Sequence, residues 1–200
     1  MSASRTPAHR RSITVEVVDL PEVFEVHAHL TDERPWAEGS EHVHLVHDLG
    51  LTLHVRRSDL VITAAKATMD RFPHAECPGI APSFEGLVGL SVARGYTKAV
   101  QERFGRVKGC AHLVVLATAV APVVIQAIPS SASREAGTSG IARSISGEPT
   151  WLTGTCHIWE PEQGPGPTKV ALGWRPGRGD YPAPSVEQVQ RELAQGGEEA

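Results

Sequence analysis

The sequence predicts an α+β fold: a mainly antiparallel sheet packed on one face by two helices, followed by a flexible C-terminal tail. Three observations carry this. Apolar and polar residues alternate with a period of two through the first seventy positions. The period changes across a proline-rich stretch at residues 70–83. Beyond Trp159 the chain turns rich in proline and glycine. The predicted organisation is a single domain over residues 12–159 and a tail over 160–200 that holds at most one short helix.

In the first strand, Ile13, Val15 and Val17 alternate with Thr14 and Glu16. In the second, Phe24, Val26, Ala28 and Leu30 alternate with Glu25, His27, His29 and Thr31. Residues 31–41, with Pro35 and Gly39, read as the loop that follows. A long strand over 43–55 sets Val43, Leu45, His47, Leu49, Leu51, Leu53 and Val55 on one face. His42, His44, Asp48, Thr52 and His54 fall on the other. Leu60 to Met69 is a fourth strand, completing an antiparallel meander with one buried face. Pro73, Pro78 and Pro82 then predict an irregular loop.

From Ser83 to Phe104, the residues Phe84, Leu87, Ser91, Tyr96, Val100 and Phe104 approximate a helical stripe. Gly86, Gly89 and Gly95 allow close approach, and Gly105 ends the helix. A second helix is predicted from about Gly109 to Ile128, kinked at Pro122. Its apolar stretch is about as long as the shortest membrane spans. With His112, Pro122 and Gln126 inside it and no basic anchors flanking it, it reads instead as a core helix buried on most sides. Residues 129–150 read as a long loop or lid, with 131–148 mobile, and Trp151 to Trp159 as a last strand. Ser185 and Gln188 form a capping-box pair for a short helix ending at Gly196.

Composition excludes several functional classes. Apolar residues make up 40% and charged residues 21%, ordinary globular values. A net charge of −4 gives no footprint for nucleic acid or an anionic membrane. No apolar run follows the basic N-terminal residues, so no signal peptide is read. Three cysteines, an odd number, point to free thiols in a reducing cytoplasm rather than a disulfide framework.

Cysteine and histidine supply the candidate chemistry. Cys110 begins the long helix, where outward N–H groups favour negative charge; it suits a nucleophile or metal ligand, against the plain alternative of a small buried thiol. His112 can meet Cys110 only if the chain is still turning there, since i and i+2 do not face each other within a helix. Cys77 sits on a loop stiffened by Pro78 and Gly79 and can present a ligand. His47 falls on the apolar face of its strand, so it is either hydrogen-bonded and neutral or metal-bound. Asp48 points the opposite way unless a bulge turns it. His27, His29, His42, His44 and His54 read as a solvated face. Cys156 and His157, adjacent on a strand, point to opposite sides. No paired C-x-x-C, H-E-x-x-H, G-x-S-x-G, P-loop or dinucleotide fingerprint is present.

Taken in order, the motifs H-D (His47, Asp48), C-P-G-I-A (Cys77 to Ala81), L-V-G-L (Leu87 to Leu90), G-C-A-H-L (Gly109 to Leu113), Gln126 and T-C-H (Thr155 to His157) resemble a bacterial family catalogued as domain of unknown function 2889. The likeness runs from about Ser12 to Trp159. That family typically shows H-D-M, a cysteine loop, G-C-T-H-L-x-E-L and a late C-H. Here Leu49 stands for the methionine, Ala111 for the threonine and Val115 for the glutamate, so the resemblance implies altered or absent activity if that glutamate acts in other members. The resemblance places a site without bringing a reaction.

The resulting expectation is a small cytoplasmic enzyme in which Cys77, Cys110, His112 and His47 hold zinc or iron. Cys110, His112 and Asp48 would act on a small carboxylate or acyl substrate. Two alternatives stay open. One is a metal-free enzyme with Cys110 as nucleophile and His112 or His47 as base. The other is a non-catalytic domain that binds a small ligand or a protein.

Overall fold

A computed structural model describes residues 5–39, 41–135, 153–175 and 182–196. The fold is α+β, a four-stranded antiparallel sheet with helices packed on it. The strands are β1 (Arg10–Asp19), β2 (Val23–Glu33), β3 (Leu45–Arg56) and β4 (Ile62–Arg71), arranged in sequence order across the sheet. The helices are α1 (Glu41–His44), α2 (Tyr96–Phe104), α3 (Ala111–Glu135), α4 (Pro165–Ala171) and α5 (Val186–Gly196). The chain divides into two compact units, Met1–Ala127 and Ile128–Ala200. The division falls within α3.

In the first unit the period-two pattern becomes one buried face. Phe24, Val26, Ala28 and Leu30 of β2 and Leu49, Leu51, Leu53 and Val55 of β3 are buried, as is Ile62 of β4. The row in β2 runs one residue further than the apolar pattern, to Asp32, which is 1% exposed. Residues 31–33, expected in a loop, therefore belong to the strand. At its other end β3 starts later than predicted. His44 and Val43 lie in the short helix α1, and a register shift between Asp32 and Glu33 absorbs the change.

The region after β4 differs most from expectation. Cys77–Leu87 forms a 3-10 helix rather than an irregular loop, with Pro78 near its start and Pro82 inside. Pro78 lies in the first turn, where the missing N–H has no helical partner to lose. The stripe from Phe84 to Phe104 is not one helix. Gly89 (φ 87°) and Gly95 (φ 64°) take left-handed conformations that end one segment and open α2. The stripe residues still meet, because Phe84 stacks on Phe104 with ring centroids 4.6 Å apart. Gly86 allows that approach: a Cβ there would lie 3.3 Å from Phe104 Cζ, a contact that asks the ring to give by a few tenths of an ångström.

The helix α3 runs unbroken through Pro122 and ends seven residues beyond Ile128. Leu113, Val114, Leu116, Ala117, Val120 and Val124 are buried. Yet only 33% of its most apolar stretch is buried, so it is not enclosed on most sides. Among the described residues it is the one helix long and apolar enough to cross a membrane.

In the second unit, residues 153–156 form turns and a bend, and His157–Trp159 is a 3-10 turn, so the last strand is absent among the described residues. Trp151, Leu152 and residues 136–150 lie outside the description, and with them most of the expected loop. The segment Pro165–Ala171, expected to be tail, is helical. Its Pro165 occupies the first turn, where a missing N–H costs nothing. The helix α5 has the expected capping box: the Ser185 N–H donates to Gln188 Oε1 at 2.6 Å, and the Gln188 N–H donates to Ser185 Oγ at 3.2 Å.

Candidate metal centre

Cross-strand register builds the centre of the site. Arg11 of β1 pairs with Asp32 of β2, and Asp32 pairs with His47 of β3, so three polar side chains form a row across the covered face. The Arg11 guanidinium grips Asp32 in a bidentate pair, Nε to Oδ1 and a terminal nitrogen to Oδ2, both at 2.7 Å. His9 Nε2 lies 3.0 Å from Oδ1, and His47 Nδ1 lies 3.0 Å from Oδ2. From α3, His112 Nε2 comes to 3.5 Å from Oδ2. The two imidazoles lie face to face, with centroids 3.9 Å apart and planes tilted by 33°.

Helix α3 delivers His112 because Cys110 precedes the first helical residue. Cys110 O accepts the Val114 N–H at 2.9 Å, so the residue joins the first helical turn from outside it. Cys110 Sγ thereby lies 3.7 Å from His112 Nδ1, a convergence the i, i+2 spacing permits only at a helix start. Gly109 serves a purpose other than a left-handed turn. It is extended, and a Cβ there would meet Phe104 O at 2.6 Å.

Electrostatics separate the two partners. Burial raises the Asp32 pKa, but hydrogen bonds from Arg11 and His9 outweigh it and hold the carboxyl well below the usual carboxylate range. Burial and the neighbouring His47 push the His112 pKa below its ordinary 6.5, against the pull of Asp32. A neutral imidazole beside a charged carboxylate is the state a metal ligand or general base requires.

Asp32, His47 and His112 form a group that can hold a metal ion, with one ligand atom from each lying within 4.8 Å of the others. Among the described residues no such group includes Cys77 or Cys110. Of the four expected ligands, His47 and His112 are thus brought together, and Cys110 adjoins them through His112. Cys77 stands half-buried at the start of the 3-10 helix, its N–H donating to His74 O. Asp48 is held elsewhere. Regular alternation sends it to the open face, where its carboxylate binds His29. His27 and His54 also occupy that face, and both contact Glu25. Cys156 is exposed in the second unit, and all three cysteines are free. The residues missed by sequence reasoning are Asp32, Arg11 and His9.

The family model described as "Protein of unknown function (DUF2889)" matches residues 9–126. The match takes in Asp32, His47, Cys77, Cys110 and His112 and stops short of Cys156 and His157. No curated protein and no solved structure matches the chain.

Proposed function

The chain belongs to the DUF2889 family, and from that premise we propose that it is a small cytoplasmic enzyme using a transition metal at the His47–His112 pair. Zinc or iron suits the donors, and the substrate class is a small carboxylate or acyl compound. The observation that carries the reading is the imidazole pair gathered at the buried Asp32 carboxylate. His47 Nδ1 is hydrogen-bonded to Asp32 and His112 Nε2 lies 3.5 Å from the same carboxylate, and a carboxylate behind a metal-binding histidine fixes its tautomer and raises its basicity. Arg11 already occupies both Asp32 oxygens, so Asp32 serves best as that orienting group. The other nitrogens, His47 Nε2 and His112 Nδ1, are left for the ion. Cys110 adds a soft donor. Sulfur and nitrogen at about 2.3 and 2.0 Å from one tetrahedral ion stand about 3.5 Å apart, close to the 3.7 Å between Cys110 Sγ and His112 Nδ1. An open coordination position would polarise a carbonyl or activate water.

A second reading rests on the same 3.7 Å contact. Cys110, His112 and Asp32 stand in the order nucleophile, base and orienting acid, so Cys110 could attack an acyl carbon without a metal. Elemental analysis of purified protein tests the first reading. About one zinc or iron per chain is expected, falling on His47→Ala and His112→Ala. No stoichiometric metal, together with slower alkylation of Cys110 in His112→Ala, would transfer the assignment to the second.

A further inference from the structure

The two edges of the sheet are finished differently. At the start of β4, the segment Gly89–Val92 adds a short antiparallel pairing. Gly89 N donates to Ile62 O, Ile62 N to Leu90 O, and Val92 N to Leu60 O, all at 2.9 Å. The 3-10 helix Cys77–Leu87 also lies against β4. The outer edge of β1 has no counterpart: among the described residues no backbone hydrogen bond reaches it from beyond β2. Such edges are blunted by proline, a bulge, charged side chains or a covering element, and in β1 charge is confined to Arg10, Arg11 and Asp19 near the ends and to Glu16 on the open side. The ten residues of β1 contain no proline, and its pairing with β2 is free of register shifts. On its covered side the middle residues are Ile13, Val15 and Val17. Ile13 is 38% exposed and both valines are half-buried, although their partners Leu30, Ala28 and Val26 are buried. The apolar face therefore continues to the edge, where the described residues cover it only in part.

We propose that β1 pairs antiparallel with β1 of a second copy of this chain, with Val15 on the two-fold axis. The strand's own sequence selects that occupant and register. With Val15 opposite Val15, Ile13 faces Val17, so the partly covered row closes on itself. Thr14 faces Glu16 and Ser12 faces Val18, while Arg11 and Asp19 at the two ends keep their own partners within the chain, Asp32 and Arg57. Shifting to Thr14 opposite Thr14 puts Val17 against Arg11. Shifting to Glu16 opposite Glu16 sets like charges together and Ile13 against Asp19. Pairing odd with even residues would set the covered face of one copy beside the open face of the other and break the two-fold symmetry. An isologous two-fold contact of this kind closes at two copies and leaves no free β1 edge. It is independent of the metal reading.

Sedimentation equilibrium on the full chain, with hydrogen exchange on the same sample, tests the proposal. The wild type is expected to be a dimer whose β1 amides are protected in a concentration-dependent way. Val15→Lys sets two lysines against each other on the axis and should raise the dissociation constant on the order of a hundredfold. Thr14→Lys places a lysine opposite Glu16 of the second copy and should leave association intact or tighter. A wild type that stays monomeric at its highest soluble concentration overturns the proposal. So does a dimer with unprotected β1 amides, or one indifferent to Val15→Lys.

Discussion

On the covered face of the sheet Asp32 binds Arg11, His9 and His47 and lies beside His112. On the open face Asp48 binds His29, and Glu25 binds His27 and His54. Both faces carry the same residue types on neighbouring strands, even adjacent in sequence at His47 and Asp48. Their surroundings differ: Asp32 is 1% exposed, whereas Asp48 is 25% and Glu25 32% exposed. Water screens and competes for the outer pairs, while the inner carboxylate depends on its partners for nearly all its solvation. The candidate centre lies on the covered face because a buried charge fixes the geometry of whatever holds it.

The largest expected contrast is in stability. Asp32→Ala leaves Arg11 and His47 without their acceptor and should cost about 3–5 kcal/mol, whereas Asp48→Ala should cost at most about 1 kcal/mol. Chemical denaturation of both variants checks this, and equal costs would erase the distinction between the faces.

Acid should separate the faces next. Because the folded-state pKa of His112 is lowered, it opposes folding only in acid: the unfolded chain takes up the proton as pH falls through 6.5, and the folded one does so later. The depressed Asp32 contributes stability present above its ordinary 3.8, lost only as pH falls well below it. Both effects make stability fall on acidification. Imidazole resonances followed by NMR should show His112 still mostly neutral at pH 6.5, and a midpoint at or above that value would contradict the assigned environment.

The smallest effect belongs to the outer pairs. Glu25→Gln should change stability by about 1 kcal/mol or less and only at low salt, because exposed pairs are screened over about 10 Å at 0.1 M ionic strength. A large, salt-independent loss would mean that this face is covered in solution.

Much of this contrast was legible in the chain. Alternation placed His47 inward and His27, His29 and His54 outward, and the glycine before Cys110 marked a helix start. Asp32 was hidden because Pro35 and Gly39 made its neighbourhood look like a loop. Yet it continues the row Phe24, Val26, Ala28, Leu30, and Arg11 continues the row Ile13, Val15, Val17. An acid and a base extending two adjacent apolar rows were the available signal. The 3-10 helix and the glycine breaks were less accessible, because the stripe from Phe84 to Phe104 is produced by tertiary stacking, which helical spacing imitates. Helix α4 was masked by its proline-rich composition.

Titration with cobalt(II), read by visible and ultraviolet absorption, tests the central claim most directly. One tetrahedral site per chain with a thiolate-to-metal band is expected. Affinity should fall by about 10- to 100-fold in Asp32→Asn through the lost orientation of the histidines. The site should vanish in a His47→Ala, His112→Ala double variant and lose only the thiolate band in Cys110→Ser, while His29→Ala should leave every feature unchanged. Absence of a tetrahedral spectrum in the wild type, or a site that survives loss of both His47 and His112, would contradict it.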